Sequence, residues 1–289
     1  MTAPPRIFDR SAYRARRARA AKARGESFLA ETAAGALAER LAAVNRRFQR
    51  ALDLGSRLGA LPSLLPFAAT WVHAAPHIPG TIVADEEFLP FAEESFDLVV
   101  SVLSLHAVND LPGALLQIHR VLKPDGLFIA ALFGEDTLTE LRAAITAAEA
   151  EILGGASPRI APFADVRELG GLLQRAGFAL PVADVERTIV RYAELGKLFS
   201  DLRAAGETNV LAGRLTTLLP RRLLSAVARE YSERFADSDG RLRATFDIVY
   251  LTGWAPHESQ QKPLKPGSAK ARLADALRTK EIPAGEKPR

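Results

Sequence analysis

The sequence predicts a doubly wound α/β fold on a mainly parallel sheet, with helices ahead of it and a helical insertion late in the chain. Short segments over residues 50–133 are almost continuously apolar, as strands buried on both faces of a parallel sheet must be. Helical stretches alternate with them, the order that crossovers between parallel strands require. Proline and glycine clusters mark the joins, Lys123-Pro124-Asp125-Gly126 most clearly.

Taken in order, residues 7–48 are rich in Ala, Arg, Leu and Glu without proline and predict one or two helices. Residues 50–54 (RALDL), 70–73 (TWVH), 81–84 (TIVA), 97–103 (DLVVSVL) and 127–133 (LFIAALF) predict strands. Residues 112–122 predict a helix that opens on Pro112 and stops at the lysine–proline turn. Helices follow at 137–153 and 165–176, the second closed by Gly177, with a loop at 154–163 between them. Strands near 179–185 and 246–254 flank a helical region at 192–234. The expected organisation is N-terminal helices over 1–48, an α/β domain over 49–255 with a helical cap around 190–235, and a disordered basic tail over 256–289.

The 289 residues are 48% hydrophobic, ample for a buried core, and include no cysteine. The missing thiol excludes disulfides, thiolate nucleophiles, thiolate zinc sites and cysteine-ligated clusters. No apolar run approaches the roughly 20 residues of a transmembrane helix, and no secretory signal is legible. The net charge of +4 is unevenly spread. Residues 1–24 carry eight Lys/Arg against Asp9 alone, residues 262–289 carry eight against three acids, and the body between them is left at −8. Basic ends suit an acidic protein surface, a phosphate backbone or anionic lipid.

Leu52-Asp53-Leu54-Gly55-Ser56-Arg57-Leu58-Gly59 follows the first predicted strand, at the carboxyl edge where such sheets bind ligands. It resembles the first motif of the class I S-adenosylmethionine (SAM) methyltransferases, roughly D-x-G-x-G-x-G, whose glycines let backbone approach the methionine end of the cofactor. The resemblance implies the Rossmann-like class I methyltransferase fold. Asp53, Gly55 and Gly59 match, whereas Arg57 replaces the middle glycine and either swings out or pairs with the cofactor carboxylate. The family's ribose-binding acid at the end of the second strand has no counterpart in Trp71-Val72-His73-Ala74-Ala75-Pro76. Asp85-Glu86-Glu87-Phe88-Leu89-Pro90-Phe91 resembles the third motif, D-x-x-x-L-P-F, whose Asp meets the adenine amino group. Ser95-Phe96-Asp97-Leu98-Val99-Val100 matches the family's next strand, and the turn at 122–126 matches its late turn. The resemblance thus implies SAM held by Asp53, Gly55, Ser56, Arg57, Gly59, Asp85, Glu86 and Ser101.

The end of the fourth strand, Ser101-Val102-Leu103-Ser104-Leu105-His106, is where such enzymes position the acceptor. It lacks the Asn/Asp-Pro-Pro-aromatic run of base-amino methylation, and carbon-5 methylation needs a cysteine, so nucleic acid is not the expected substrate. His106 is the candidate general base, with a structural histidine as the alternative. His73 and His77 are four apart, but Pro76 breaks their helical face and no metal site is expected. No compact two-histidine, one-carboxylate iron site is legible; His106, His119 and His257 with Glu258 form one only if the fold brings them together.

A second resemblance covers nearly the whole chain. Phe8-Asp9-Arg10, residues 84–91, Ser104-Leu105-His106, Val108-Asn109-Asp110-Leu111-Pro112 and Gln117-Ile118-His119 carry its first half. Ser157-Pro158-Arg159-Ile160, Pro162-Phe163, Gly206-Glu207-Thr208-Asn209, Ala244-Thr245-Phe246, Gly253-Trp254 and His257-Glu258-Ser259-Gln260 carry the rest. These resemble the methyltransferase-like assembly factors of respiratory complex I, whose mitochondrial member is described as hydroxylating an arginine on an iron–sulfur subunit. The biotin-pathway malonyl-carrier-protein methyltransferases are more distantly similar. The chain departs in having Ala107 where an aromatic follows the histidine. The resemblance implies a protein substrate in a complex I subunit, modified by methyl transfer or hydroxylation, or a non-catalytic assembly chaperone; the basic ends suit an acidic protein partner or an assembly at the membrane edge. Only seven residues precede Phe8, so a bacterial-type cytoplasmic protein is expected, with the mitochondrial matrix as the alternative.

Overall fold

The structure is a computed structural model that describes residues 6–22, 27–56, 61–76, 82–217, 219–261 and 278–279. Two compact units divide the chain, Met1–Pro256 and His257–Arg289. In the second, His257 bonds Ser259 within its own turn, Nδ1 to Oγ at 2.7 Å. Most of the predicted basic tail lies outside the described residues.

Two helices open the first unit, α1 (Arg10–Lys22) and α2 (Phe28–Ala43), the latter capped by the Ser27 side chain. Then come β1 (Phe48–Leu54), the one-turn α3 (Leu61–Leu64), β2 (Ala68–Ala74), β3 (Phe96–Val102) and α4 (Leu111–Val121). β4 (Leu122–Phe133), α5 (Thr139–Leu153), α6 (Val166–Arg175) and β5 (Ala179–Tyr192) follow. The cap is α7 (Leu195–Ala205) and α8 (Arg221–Phe235), and β6 (Leu242–Trp254) closes the sheet.

The six strands lie in the order β2-β1-β3-β4-β6-β5. β2, β1, β3 and β4 are parallel, and β6 runs antiparallel between β4 and β5. β3 is buried at every position, which accounts for its unbroken apolar run. Helices cover both faces. One core layer includes Leu37, Leu41, Ala144, Val227 and Tyr231, from α2, α5 and α8. The other includes Leu115, Ile118, Leu169 and Leu173, from α4 and α6. Each such leucine or isoleucine stabilises the fold by about 1.5–3 kcal/mol through removal from water. The doubly wound expectation holds.

Helix ends follow their sequence signals. Asp110 caps α4 by accepting the Gly113 N–H at 2.8 Å, with Pro112 in the first turn. Asp165 caps α6 through the N–H groups of Arg167 and Glu168. Two expectations need correction. Of the strand expected at 81–84, the described residues 82–84 keep one bridge, Ile82 against Ala74, beyond which the chain turns away at Asp85–Phe88. The cap expected from 190 begins only at Leu195, because β5 continues through Tyr192 in ladder register with Leu242. Residues 77–81, His77 among them, lie outside the described residues.

Candidate active site

The carboxyl edge of β1 and β3 carries the polar groups. Asp53, near the end of β1, is 3% exposed; its Oδ2 meets His73 Nδ1 on β2 at 2.9 Å, and its Oδ1 has no partner. That bond leads the effects that raise the His73 pKa above its ordinary value, burial opposing it. Gly55 turns with a φ of 75°, and a Cβ there would collide with the Ser104 hydroxyl and the Glu86 carboxylate. Ser56 Oγ accepts the Val102 N–H at 3.1 Å and so ties the loop to β3. Ser101 Oγ is buried without a partner. Arg57 and Gly59 lie outside the described residues.

α1 lies across this edge. Its Arg10, Tyr13, Arg14 and Arg17 recur at i, i+3, i+4 and i+7 and therefore share one helix face. Arg10 donates to Asp85 at 3.0 Å, to Glu86 and to the Ala107 carbonyl, and Arg14 reaches the second Asp85 oxygen at 2.6 Å. Burial would raise the Asp85 pKa, but Arg10, the Glu87 N–H and Arg14 outweigh it and hold the carboxyl below its usual range. Glu86, fully buried, also accepts from Ser104 Oγ at 2.5 Å. Tyr13 lies 3.3 Å from the same hydroxyl, and burial pushes its phenol up to about 12.

Arg17 is 2% exposed and spans two loops, donating to the Gly55 carbonyl at 3.0 Å and to Glu207 Oε1 at 2.8 Å. The other Glu207 oxygen lies 3.0 Å from His106 Nε2. His106 sits in the 3-10 turn after β3, its Nδ1 buried and unpartnered. It lines a cavity of about 50 Å³ shared with Phe133, Phe163, Phe246 and Phe8. The His106 ring packs against Phe133 and Phe163 at centroid distances of 4.7 and 5.7 Å. Phe8 also lines an open cleft of about 780 Å³, together with Arg10, Arg14, Glu87 and Phe88.

The described residues expected to hold SAM therefore cluster at one edge: Asp53, Gly55, Ser56, Asp85, Glu86 and Ser101. Their chemistry fits the group. Asp53 Oδ1 and Ser101 Oγ are buried without partners, and Asp85 and Glu86 are acceptors for amino and hydroxyl groups, while the space beside Gly55 is taken by Ser104 and Glu86. Asp85 and Glu86 are engaged by α1, so binding there exchanges arginine contacts for cofactor contacts. His119 sits on α4, with burial leading the depression of its pKa. Among the described residues no three His, Cys, Asp or Glu side chains assemble as a metal site. No helix among them is long and apolar enough to cross a membrane.

Arg10, Tyr13, Arg17, Ser104 and Glu207 had no chemical role assigned from sequence. The signal for the α1 residues was present as their helical spacing. Glu207 had only its place in a family-like segment.

Fold and site together define a class I methyltransferase-like protein. A Methyltransferase domain family model matches residues 60–130. A Bacillus halodurans methyltransferase-class structure superposes with a TM-score of 0.52 at 16% identity, covering 77% of this chain and 99% of its own. The human protein named Arginine-hydroxylase NDUFAF5, mitochondrial, is 42% identical over 97% of this chain and 86% of its own length. Its zebrafish counterpart is 41% identical over 93% of this chain and 89% of its own. A Laribacter hongkongensis malonyl-[acyl-carrier protein] O-methyltransferase is 39% identical over 65% and 61%. The chain belongs to the NDUFAF5 arginine-hydroxylase family.

Proposed function

We propose that the protein is a modifying enzyme that acts on an arginine side chain of a respiratory complex I subunit while the complex assembles. His106 carries the reading, with Nε2 on Glu207 and Nδ1 buried without a partner in the wall of an apolar cavity. An unsatisfied buried acceptor costs about 1–3 kcal/mol, so a site that keeps one is suited to a donor from outside. A guanidinium brings N–H donors, and the rings of Phe133, Phe163 and Phe246 beside Glu207 suit its charge. A substrate carboxylate would find no lysine or arginine in that lining and would face Glu207. This weighs against a malonyl substrate.

In this reading Asp53, the Gly55 loop, Asp85, Glu86 and Ser101 hold SAM, with Arg57 and Gly59 completing the loop. SAM when bound supplies a methyl group. His106 takes the proton that a guanidinium must lose before its nitrogen becomes nucleophilic. The relatives named for arginine hydroxylation support the same target residue with a different modification. A second reading, an assembly chaperone without catalysis, is favoured by the arginine pairs on Asp85 and Glu86.

The test is deletion of the gene followed by mass spectrometry of the quinone-proximal iron–sulfur subunit and assay of NADH:quinone oxidoreductase. Loss of a methyl or oxygen increment on one arginine supports the enzyme. Failed assembly with an arginine unmodified in both strains supports the chaperone, and a normal complex overturns the assembly role. Calorimetric titration with SAM separates the chemistries: no heat at millimolar ligand removes methyl transfer.

A further inference from the structure

Arg17 is a costly residue to keep. It is a fully buried arginine on an N-terminal helix, and burial alone would depress its pKa; Tyr13, Glu207 and Glu86 more than reverse this, so it stays charged. Its two terminal nitrogens serve different loops. One holds the Gly55 carbonyl on the cofactor side, the other holds Glu207 Oε1 on the cavity side. The local sequence is built for this approach. α7 ends at Gly206 with a φ of 76°, where a Cβ would stand 3.0 Å from Arg17 Cδ and 3.4 Å from Ala20 Cβ. Glycine there lets α1 close in and presents the next residue, Glu207, to the guanidinium.

With Oε1 fixed, Glu207 presents Oε2 to His106 Nε2 at 3.0 Å. A carboxylate only accepts, so a neutral His106 must carry its proton on Nε2, which leaves Nδ1 as a lone pair. We propose that Arg17 is a positioning residue: it holds Glu207 so that the carboxylate locks His106 in the Nε2–H tautomer, and its bond to Gly55 ties that lock to the seating of the cofactor loop. That Nδ1 then serves as a base rests on the function proposed for the site; the lock itself does not.

The experiment uses the full chain labelled with ¹⁵N-histidine, with long-range ¹H–¹⁵N spectra at pH 7.5 and the His106 signals identified by their loss in His106→Gln. The wild type is expected to show one Nε2–H pattern. Arg17→Gln is expected to give averaged tautomers at His106, and Arg17→Lys, which keeps a cation for Glu207, is expected to restore the single pattern. A folded Arg17→Gln with an unchanged His106 pattern overturns the proposal, because a merely structural arginine changes the melting temperature alone. If Arg17→Gln does not fold, Glu207→Ala is read for the same signal: averaging supports the lock, and an unchanged pattern overturns it. Full modifying activity in His106→Gln, alongside a tautomer that averages in Arg17→Gln, would support the lock while removing the functional reading.

Discussion

His106 and Glu207 lie 101 positions apart in the chain and meet at 3.0 Å, Nε2 to Oε2. Their side chains are 4% and 13% exposed, so little water competes for the bond. One comes from the turn after β3, the other from the end of α7, and the pairing exists only because the cap folds back over the sheet edge.

His106→Gln tests the base. Glutamine keeps a donor for Glu207 but supplies no titratable nitrogen, so the fold should survive with a melting temperature close to wild type. Arginine modification in a complemented deletion strain should fall by at least about 100-fold, the lower range for loss of a general base. Retained modification on quantitative mass spectrometry would assign His106 a structural role only.

Arg10→Met tests the pairing at the sheet edge. Glu86 is fully buried, and removing its cation leaves a charge with only the Ser104 hydroxyl and its remaining neighbours. Breaking one partner of a buried pair costs about 3–5 kcal/mol. Urea unfolding should show that loss, and adding Glu86→Gln should recover part of it. An Arg10→Met protein as stable as wild type would mean that Glu86 is carried by other groups.

His73 gives a pH signature. Its pKa is raised in the folded protein, chiefly by the hydrogen bond to Asp53, above the ordinary 6.5. Stability from a raised pKa is fully present below the unfolded value and is lost as pH rises through the folded one. The melting-temperature gap between wild type and His73→Gln should therefore be widest below pH 6.5 and should close above it. A gap that does not vary from pH 5.5 to 8.5 would show that the pair carries no linked proton.

Much of the fold was legible in the chain, and for physical reasons. The strands of the parallel half read directly, because burial on both faces forces unbroken apolar runs such as Phe96–Val102. The strand expected at 81–84 was apolar enough, but its exposed Val83 shows that no second face was there to bury it. The α1 arginines read as a basic surface because their acids, Asp85 and Glu86, lie 71 to 76 positions away. Family-like segments with no evident chemistry prove to be pins and walls of the cavity. Asn109 holds the N–H groups of Ile7 and Phe8, Asn209 holds the Pro158 carbonyl, and Phe163 and Phe246 are walls. Long-range pins leave no periodicity for sequence reasoning to find.

Glu149 is the last such pin, and its loss should be measurable. It is fully buried on α5 and accepts the Ser157 N–H and hydroxyl, both at 2.6 Å, and Arg159 at 2.8 Å. These bonds hold the start of the loop that carries Ile160 and Phe163 into the cavity wall. Burial would raise its pKa, but Ser157 and Arg159 prevail and hold it below the ordinary 4.5. A depressed carboxyl contributes stability that is present above the unfolded value and disappears as pH falls through the folded one. Glu149→Gln keeps the shape, loses the charge-assisted bonds, and should cost about 1.5–3 kcal/mol at pH 7. That deficit should shrink in urea titrations below pH 4.5, as wild type also loses its carboxylate. Arginine modification should fall with it, since a loosened Phe163 no longer packs on His106. A deficit that stayed constant down to pH 3 would show that the loop is held by packing, with the charge incidental.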